Sequence, residues 1–306
     1  MISVQNLIYE YPGHRAIDDI SFTIRRGAIT ALVGPNGAGK TTLLNCLSAL
    51  SKPFSGKIFI NNLDVLKYPR ASHKITGFLP DFFGLYDSLT VHQSLSYFAM
   101  AHGVKSSLIA SRIIEIVENL NLRDKLHERV SGLSRGMRQR LGIAQAMIHD
   151  PELLLLDEPA SGLDPEARYA LSELFLQLNR QGKTLLVSSH ILSELDQYAT
   201  DMLIMRQGKL VESSVKHDES VKRRLCLKLL HIPDQLPDVL KKNEIVRELR
   251  IEGDTICFEF GGDETAQHHL LKSLISADIS VREFYVKREG VQEQYLEAVK
   301  EKDHVQ

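Results

Sequence analysis

The stretch Gly34-Pro35-Asn36-Gly37-Ala38-Gly39-Lys40-Thr41-Thr42 decides the fold of this chain. It follows an apolar run at residues 29–33 and leads into the mainly apolar residues 43–47. This order of strand, glycine-rich loop and helix fits the pattern G-x-x-x-x-G-K-[ST]. The glycines let successive backbone N–H groups point inward at an anion, and the helix N-terminus adds partial positive charge. The stretch therefore predicts a phosphate-binding loop.

Two side chains of this loop have predictable partners. Lys40 is expected to reach the β- and γ-phosphates of a nucleoside triphosphate, and the Thr41 hydroxyl is expected to ligate Mg²⁺. The alternative is a chance match, which occurs in roughly one chain of this length in a hundred. The flanking strand and helix patterns favour the phosphate-binding interpretation over the chance match.

The bulk composition is that of an ordinary globular protein. The chain has 306 residues, of which 43% are hydrophobic and 25% are charged, and its formal net charge is -2. This length fits one large domain, or one domain with a smaller one. The near-neutral charge argues against direct, non-specific nucleic-acid binding as the main activity. No apolar run approaches the ~18 residues of a membrane-spanning helix, and no signal-peptide pattern opens the chain, so we expect it not to span a membrane itself.

The three cysteines predict neither a disulfide framework nor a zinc site. Cys46, Cys226 and Cys257 are widely spaced and contain no C-x-x-C pair. We expect all three to be reduced and packed, which suits the cytoplasm.

Strands and helices alternate around the loop in a way that indicates a largely parallel sheet with helices on both sides. The helix after the apolar run 153–157 is expected to open with Asp164 as N-cap and Pro165 at its first position, and to end near Gly182. β-forming segments occur at residues 2–10, 20–30, 57–60, 75–79, 153–157 and 184–188.

A mainly helical insertion separates two of these strand-bearing blocks, at about residues 90–148. Thr90 is the expected N-cap of a helix that runs to about His102. From Ser107 onward, apolar residues recur at helical spacing and predict a second helix.

Beyond the polar residues 211–220 we expect a domain boundary, followed by a small α+β unit that is long enough for a core of its own. Its predicted strands are residues 225–232, 255–260 and 279–286, and its predicted helices are residues 235–242, 265–276 and 290–301.

An acidic pair follows the apolar strand 153–156. Asp157, at the end of a buried strand beside the phosphate loop, can hold Mg²⁺ through water. The adjacent Glu158 can then polarise or orient an attacking water. The alternative is an ordinary acidic turn after a strand.

A second anion site is predicted at Leu133-Ser134-Arg135-Gly136-Met137, which precedes a strongly helical run. Ser134 caps that helix, and its hydroxyl, the Gly136 amide and the helix dipole all favour an anion. An ordinary capped helix explains the same residues equally well.

Two further stretches come after the acidic pair. Ser161-Gly162-Leu163-Asp164 follows it closely, and His190 comes directly after the strand that ends at residues 188–189. A neutral imidazole at His190 could hydrogen-bond a γ-phosphate. One histidine among 12 is normally a surface or core residue, and only its position favours a role.

Taken in order, these stretches resemble the nucleotide-binding subunit of ATP-binding cassette (ABC) transporters, over residues 2–212. The resemblance implies an α/β P-loop NTPase core with a parallel sheet and an antiparallel β subdomain, at residues 1–214. Within it lies a helical subdomain at about 88–148, and a small α+β accessory domain follows at 215–306. The signature residues are similar to those of the multidrug-exporter-type branch, whose members often end in such an appendage.

The resemblance also implies a role for each motif. Residues 34–42 are the Walker A loop, residues 133–137 the signature motif and residues 161–164 the D-loop, which ends in Asp164. Asp157 and Glu158 form the Walker B pair, His190 is the switch histidine, and Tyr11 stacks on adenine. ATP and Mg²⁺ are the implied cofactors.

In this family two ATPase subunits pair head to tail, as a homodimer or a pseudo-dimer. Ser134 of one subunit then meets the γ-phosphate held by Lys40 of the other. Three features depart from the common pattern. Asp81 replaces the usual Gln that senses Mg²⁺, which leaves an ordinary loop aspartate as the alternative, and Arg135 and Met137 replace Gly and Gln in the signature.

The leading hypothesis is an ATP-driven motor that docks on a separate transmembrane permease at the inner face of the cell membrane, for export. The docking residues would be Phe82-Phe83-Gly84-Leu85-Tyr86, although packing within the helical insertion explains these aromatics equally well. The alternatives are an importer motor and a soluble ABC ATPase that acts on ribosomes, DNA or iron–sulfur assembly. The sequence does not name the cargo.

Overall fold

The structure is a computed structural model, and it describes residues 1–215, 223–230, 233, 236, 240, 246–253, 255–277 and 279–287. Its contacts separate the described residues into two compact units, one that ends at residue 215 and one that begins at Arg223. No helix in these ranges combines the length and hydropathy that crossing a membrane requires.

The first unit contains ten strands and seven helices. The strands are β1 (Ile2–Tyr11), β2 (His14–Ile24), β3 (Ile29–Val33), β4 (Ser55–Ile60), β5 (Leu63–Asp64), β6 (Thr76–Leu79), β7 (Leu153–Leu156), β8 (Thr184–Ser189), β9 (Asp201–Arg206) and β10 (Lys209–Val215). The helices are α1 (Lys40–Leu47), α2 (Pro69–Ile75), α3 (Val91–Ala101), α4 (Ser106–Asn119), α5 (Arg135–Met147), α6 (Pro165–Arg180) and α7 (Leu192–Leu195).

A six-stranded sheet in the order β10-β9-β3-β8-β7-β6 forms the centre of this unit. Its strands are parallel except β10, which runs antiparallel to β9. Strands β3, β7 and β8 are buried along their whole length, as expected for a parallel sheet covered on both faces. The predicted α/β fold is confirmed.

The two faces of the central sheet contribute to two different cores, because successive side chains of a strand point to opposite faces. Ala31 and Leu154 lie in the core shared with helices α3–α6. Leu32 and Leu155 lie in the core shared with α1 and a second, antiparallel sheet in the order β2-β1-β4-β5. The phosphate-loop helix and the helical insertion therefore lie on opposite faces of one sheet.

The helix predicted from Thr90 is present and begins as expected. The Thr90 hydroxyl accepts a hydrogen bond from the Gln93 amide, and the Gln93 side chain accepts one from the Thr90 amide. This reciprocal capping box satisfies two N–H groups that a helix otherwise leaves unpaired.

The second unit contains strands β11 (Arg223–Leu229), β12 (Val246–Glu252), β13 (Thr255–Phe260) and β14 (Val281–Lys287), and helix α8 (Glu264–Ser276). The strands form an antiparallel sheet in the order β12-β13-β11-β14. Leu236 and Leu240 are helical and buried in the core of this unit. The rest of the helix predicted at 235–242, and all of the one at 290–301, lie outside the described residues.

Several elements were missed by the sequence analysis. Strands β9, β10 and β12 and helix α2 had no prediction, and the polar boundary segment begins as strand β10, which pairs with β9 through Val215. The first strand of the tail ends at Leu229, earlier than predicted. These segments are polar or short, and their sheet partners, not their own patterns, make them strands.

The expectation that all cysteines are reduced is wrong for two of them. Cys226 in β11 and Cys257 in β13 lie directly opposite each other and form a disulfide. A separation of 31 residues gives no sign of this pairing, which the register of the sheet creates. Cys46 is free and buried, and burial raises the pKa of its thiol to about 12.

Candidate active site

The polar motifs meet at the carboxyl-end edge of the central sheet. Strands β3, β7 and β8 are parallel neighbours, with Val33 opposite Ser189 and Leu156 opposite Val187. The phosphate loop, Asp157 and His190 each follow one of these strands. This edge is where open α/β sheets bind ligands.

The phosphate loop ends in a conformation that requires glycine. Gly39 has φ +104°, and a Cβ there would lie 2.5 Å from the Ala16 carbonyl oxygen. Helix α1 starts at the next residue, Lys40, and no side chain caps it. Its first N–H groups therefore stay available to an anion.

Lys40 and Glu158 hold each other at the centre of the site. The buried ammonium of Lys40 donates to the Gly34 carbonyl oxygen at 2.8 Å and lies 3.6 Å from Glu158 Oε1. Glu158 Oε2 lies 2.8 Å from His190 Nδ1. The structure thus joins the three predicted catalytic residues in one chain of polar contacts.

Asp157 offers one free oxygen to the same site. Its side chain is fully buried, and Oδ1 accepts a hydrogen bond from the Ser188 hydroxyl at 2.6 Å. Oδ2 is buried without a hydrogen-bond partner among the described residues. A buried, unpaired carboxylate oxygen is costly unless it meets a cation, so this atom fits the predicted Mg²⁺. Thr41 lies at the start of α1 and is exposed.

Ser188 also fixes the backbone of Glu158, and the sequence analysis did not identify it. Its hydroxyl oxygen accepts from the Glu158 amide at 2.8 Å while its hydrogen goes to Asp157. Glu158 has φ +47°, a left-handed conformation that a non-glycine residue adopts at a cost. A polar residue that ends a buried strand beside the acidic pair was the signal that could have revealed Ser188.

Asp81 is within electrostatic reach of the acidic pair. Partial burial, with the nearby charges of Asp157 and Glu158, raises the pKa of its carboxyl, and His190 partly offsets this. The residue follows β6, and the Leu79 carbonyl two residues earlier accepts from the Asp157 amide at 2.9 Å. Asp81 therefore approaches the position predicted for it by the signature of the motif.

Tyr11 borders the start of α1. Its hydroxyl lies 3.4 Å from the Thr42 hydroxyl, and its ring meets Tyr9 edge-on with ring centroids 5.0 Å apart. The ring is 46% exposed, which leaves one face for another planar group.

The signature motif forms a separate group. Ser134 Oγ accepts from the Met137 amide at 3.3 Å and caps α5, and Asp164 caps α6 through the Ala167 amide at 2.8 Å. A Cβ on Gly136 would lie 3.6 Å from the Ala167 side chain, so the two helix starts are adjacent. Within residues 1–215, no hydrogen bond or ion pair joins Ser134 or Asp164 to the Lys40–Glu158–His190 group.

The aromatic segment after Asp81 divides between core and surface. Phe83 and Leu85 pack against the core shared with the helical insertion, whereas Phe82 is 93% exposed. Tyr86 is also exposed. Both interpretations of this segment therefore hold, each for part of it.

Comparisons with known proteins agree with this site. Residues 17–161 match the family model described as ABC transporter. Nod factor export ATP-binding protein I of Bradyrhizobium diazoefficiens is 33% identical over 258 residues, which cover 82% of this chain and 83% of that protein. The chain belongs to the ABC transporter family. It is an ATP-binding subunit that hydrolyses ATP, and a soluble ribosome- or DNA-associated ATPase is not favoured.

Two further comparisons separate the two units of the chain. A solved structure of the ATP-binding subunit of an ABC transporter has a TM-score of 0.64 and 30% identity, and covers 70% of this chain and 90% of that one. The ABC transporter ATP-binding protein YxlF of Bacillus subtilis, itself uncharacterized, is 29% identical over 98% of this chain and 99% of its own. Full-length similarity to YxlF thus includes the C-terminal unit.

Proposed function

We propose that this chain is the motor subunit of an exporter, in which two ATPase subunits pair head to tail and drive a separate transmembrane permease. The pair would be a homodimer or a pseudo-dimer with a related chain. It would lie in the cytoplasm at the inner face of the cell membrane. The export direction rests on the similarity to the Nod factor export protein.

One observation carries the proposal: each chain holds two phosphate-facing groups that do not meet. Lys40, Glu158 and His190 contact one another, whereas Ser134 is exposed and bonded only within its own helix start. Because Ser134 Oγ accepts from the Met137 amide, its hydroxyl hydrogen stays free to donate to an anion. A second copy of the chain would complete the site.

The residues of the first group have distinct roles in hydrolysis. Lys40 would move from the Gly34 carbonyl and Glu158 to the phosphates, which frees Glu158 to orient the attacking water and accept its proton. His190 would hold Glu158 and donate to the γ-phosphate. Mg²⁺, held by Thr41, Asp157 and Asp81, would neutralise charge on the phosphate oxygens.

ATP would lie along the phosphate loop, with adenine stacked on Tyr11 and the second chain's signature motif over the γ-phosphate. The residues proposed to contact ATP are Tyr11, Gly34, Pro35, Asn36, Gly37, Ala38, Gly39, Lys40, Thr41 and Thr42 from one subunit and Ser134, Gly136 and Asp164 from the other.

A mixing experiment tests the shared site. Lys40→Ala removes the phosphate-binding ammonium, and Ser134→Asp keeps a helix N-cap but places a negative charge against phosphate. Each variant alone should lose nearly all ATPase activity. Mixed in equal amounts they should regain a substantial part, because a mixed dimer joins the intact Lys40 of one chain to the intact Ser134 of the other.

The control mixture combines Lys40→Ala with Glu158→Gln. Both changes lie in the same half of the site, so no mixed dimer contains an intact site and activity should stay low. Equal recovery in both mixtures, or recovery in neither, would contradict head-to-tail pairing through Ser134.

The permease would dock beside the exposed Phe82. A tagged full-length chain, recovered from detergent-solubilised membranes of its own cells, should carry a polytopic membrane protein with it. Phe82→Ser should reduce that recovery strongly. Phe54→Ser is the matched control, because Phe54 is 72% exposed but does not line the groove at Phe82. Recovery of ribosomes or DNA instead would refute the transporter role.

A further inference from the structure

The groove next to Phe82 is apolar and carries no formal charge. It is a cavity of about 350 Å³ whose walls include the rings of Phe78, Phe83 and Phe98. None of its lining residues is Asp, Glu, Lys or Arg. Its only ionisable groups are His73, His102 and His149.

Two of these histidines are stacked face to face. The rings of His102, which follows α3, and His149, which follows α5, have centroids 3.9 Å apart and planes 1° from parallel. Two imidazolium rings at this distance would repel each other strongly in a partly buried site. The stack is therefore stable with both rings neutral.

The hydrogen bond of His149 fixes which of its nitrogens carries the proton. Nε2 lies 3.2 Å from the Thr76 carbonyl oxygen, which can only accept, so Nε2 donates. Nδ1 is then an acceptor, and it is buried with no partner among the described residues. A proton added at Nδ1 would find no acceptor there.

The groups around the stack oppose a positive charge. Burial, with His102 and Arg112, lowers the pKa of His149 to about 4 despite the Thr76 bond and Asp150. Burial and His73 lower the pKa of His102. Asp150, the nearby carboxylate, is already paired with Arg112 and Lys183.

We propose that this groove takes an uncharged, apolar helical segment of the membrane subunit, and that the His102–His149 stack excludes positive charge from it. The charge excluded is either a Lys or Arg of the partner or a proton on the stack itself. This inference rests on the docking role proposed above and specifies the chemistry of the partner.

Three synthetic helical peptides test the proposal on the full-length chain. They share an apolar face of Leu and Phe at positions i, i+3, i+4 and i+7, and differ in one central residue of that face, which is Gln, Glu or Lys. At pH 7.5 the Gln peptide should bind at least about tenfold more tightly than the Lys peptide, because an ammonium buried without a partner is costly. Fluorescence anisotropy gives the dissociation constants.

The Glu peptide separates charge sign from charge burial, because a carboxylate can accept a proton or pair with the stack. It should bind between the other two at pH 7.5 and gain on the Gln peptide as the pH falls. Equal binding of the Gln and Lys peptides would overturn the proposal, as would failure of all three to bind, or binding that Phe82→Ser leaves unchanged.

Acidification supplies the second arm. Because the pKa values of both rings are lowered, the stack stays neutral at pH 6 and gains charge as the pH falls toward 4. Binding of the Gln peptide should persist at pH 6 and be lost over that range, while circular dichroism shows the chain still folded. Loss of the folded signal together with binding would assign the effect to unfolding and overturn this arm.

His102→Phe keeps the stacked ring but removes the group that charges first, so the loss of peptide binding should move to lower pH. His127→Phe is the matched control, since His127 stacks on His92 at 6.3 Å, away from the groove, and both rings are exposed. An equal shift in both variants would count against the stack. These peptide results are independent of whether a membrane protein co-purifies, so failure of the proposed function would be seen separately.

Discussion

The two phosphate-facing regions of this chain satisfy their polar groups in opposite ways. In the region of the phosphate loop, Lys40, Asp157 and Glu158 are mostly buried and contact one another or Ser188. In the signature region, Ser134 is exposed and its oxygen is used by its own helix. The first region is a preorganised charge network, and the second is a helix start that presents donors to solvent. The difference explains how one can hold ATP alone while the other can only add to a site already occupied.

Glu158→Gln should break the first region most severely and leave the second intact. The amide keeps the shape of the side chain but cannot accept the proton of water, so turnover should fall by about a hundredfold or more. ATP binding should survive. The variant should then run as an ATP-dependent dimer on a sizing column, held by the undamaged signature region.

A monomer of Glu158→Gln at saturating MgATP would contradict the comparison, because it would show that the signature region adds nothing to a bound nucleotide. The matched control is Glu166→Gln, an exposed carboxylate in the first turn of α6, which should turn over ATP normally and stay monomeric after hydrolysis.

Ser188→Ala should loosen the same network without removing a charged group. It deprives Asp157 Oδ1 and the Glu158 amide of their partner, and each loss of a buried hydrogen bond costs about 1–3 kcal/mol. We expect a lower melting temperature and turnover reduced about tenfold. Ser189→Ala, the next residue of β8, removes a bond to the Ile191 amide only, and should lower stability with little effect on turnover.

Ser188 also shows where sequence reasoning stops. Motif spacing placed Lys40, Asp157, Glu158 and His190 correctly at one sheet edge, because parallel strands end together. It could not find Ser188, whose role depends on β8 lying beside β7 in one particular register. The Cys226–Cys257 pair was missed for the same reason, since strand register and not separation along the chain brings the two sulfurs together.

The same limit applies to the elements of the fold. Helices α3 and α6 were predicted because each carries its own start signal, at Thr90 and at Asp164. Strands β10 and β12 are polar and carry no such signal, and they are strands because a neighbour pairs with them.

Asp81→Gln should have a smaller effect, because it changes a residue at the edge of the network. If Asp81 senses Mg²⁺, the longer amide should preserve or raise turnover by up to a few-fold and shift the Mg²⁺ concentration that gives half-maximal activity. Asp124→Gln, at an exposed carboxylate in the helical insertion, controls for the lost charge. No change in turnover or in Mg²⁺ dependence would make Asp81 an ordinary loop aspartate.

The smallest effect is expected in the signature region, at a contact between Arg135 and the D-loop. The Arg135 guanidinium covers Gly162, and its Nη2 lies 3.4 Å from the Ser161 carbonyl oxygen. Gly162 has φ +66°, and a Cβ there would collide with that guanidinium. The contact links the start of α5 to the segment that leads into α6.

A double-mutant cycle of Arg135→Gly and Gly162→Ala measures this link. Gly162→Ala alone should cost backbone strain plus displacement of the guanidinium, whereas in the Arg135→Gly background only the strain remains. The coupling should be about 0.5–1 kcal/mol in urea unfolding, with turnover changed by no more than about threefold. Additive effects would show that Arg135 does not hold the D-loop. The signature region would then consist of Ser134 and its helix alone, which sharpens its contrast with the interconnected region around Lys40.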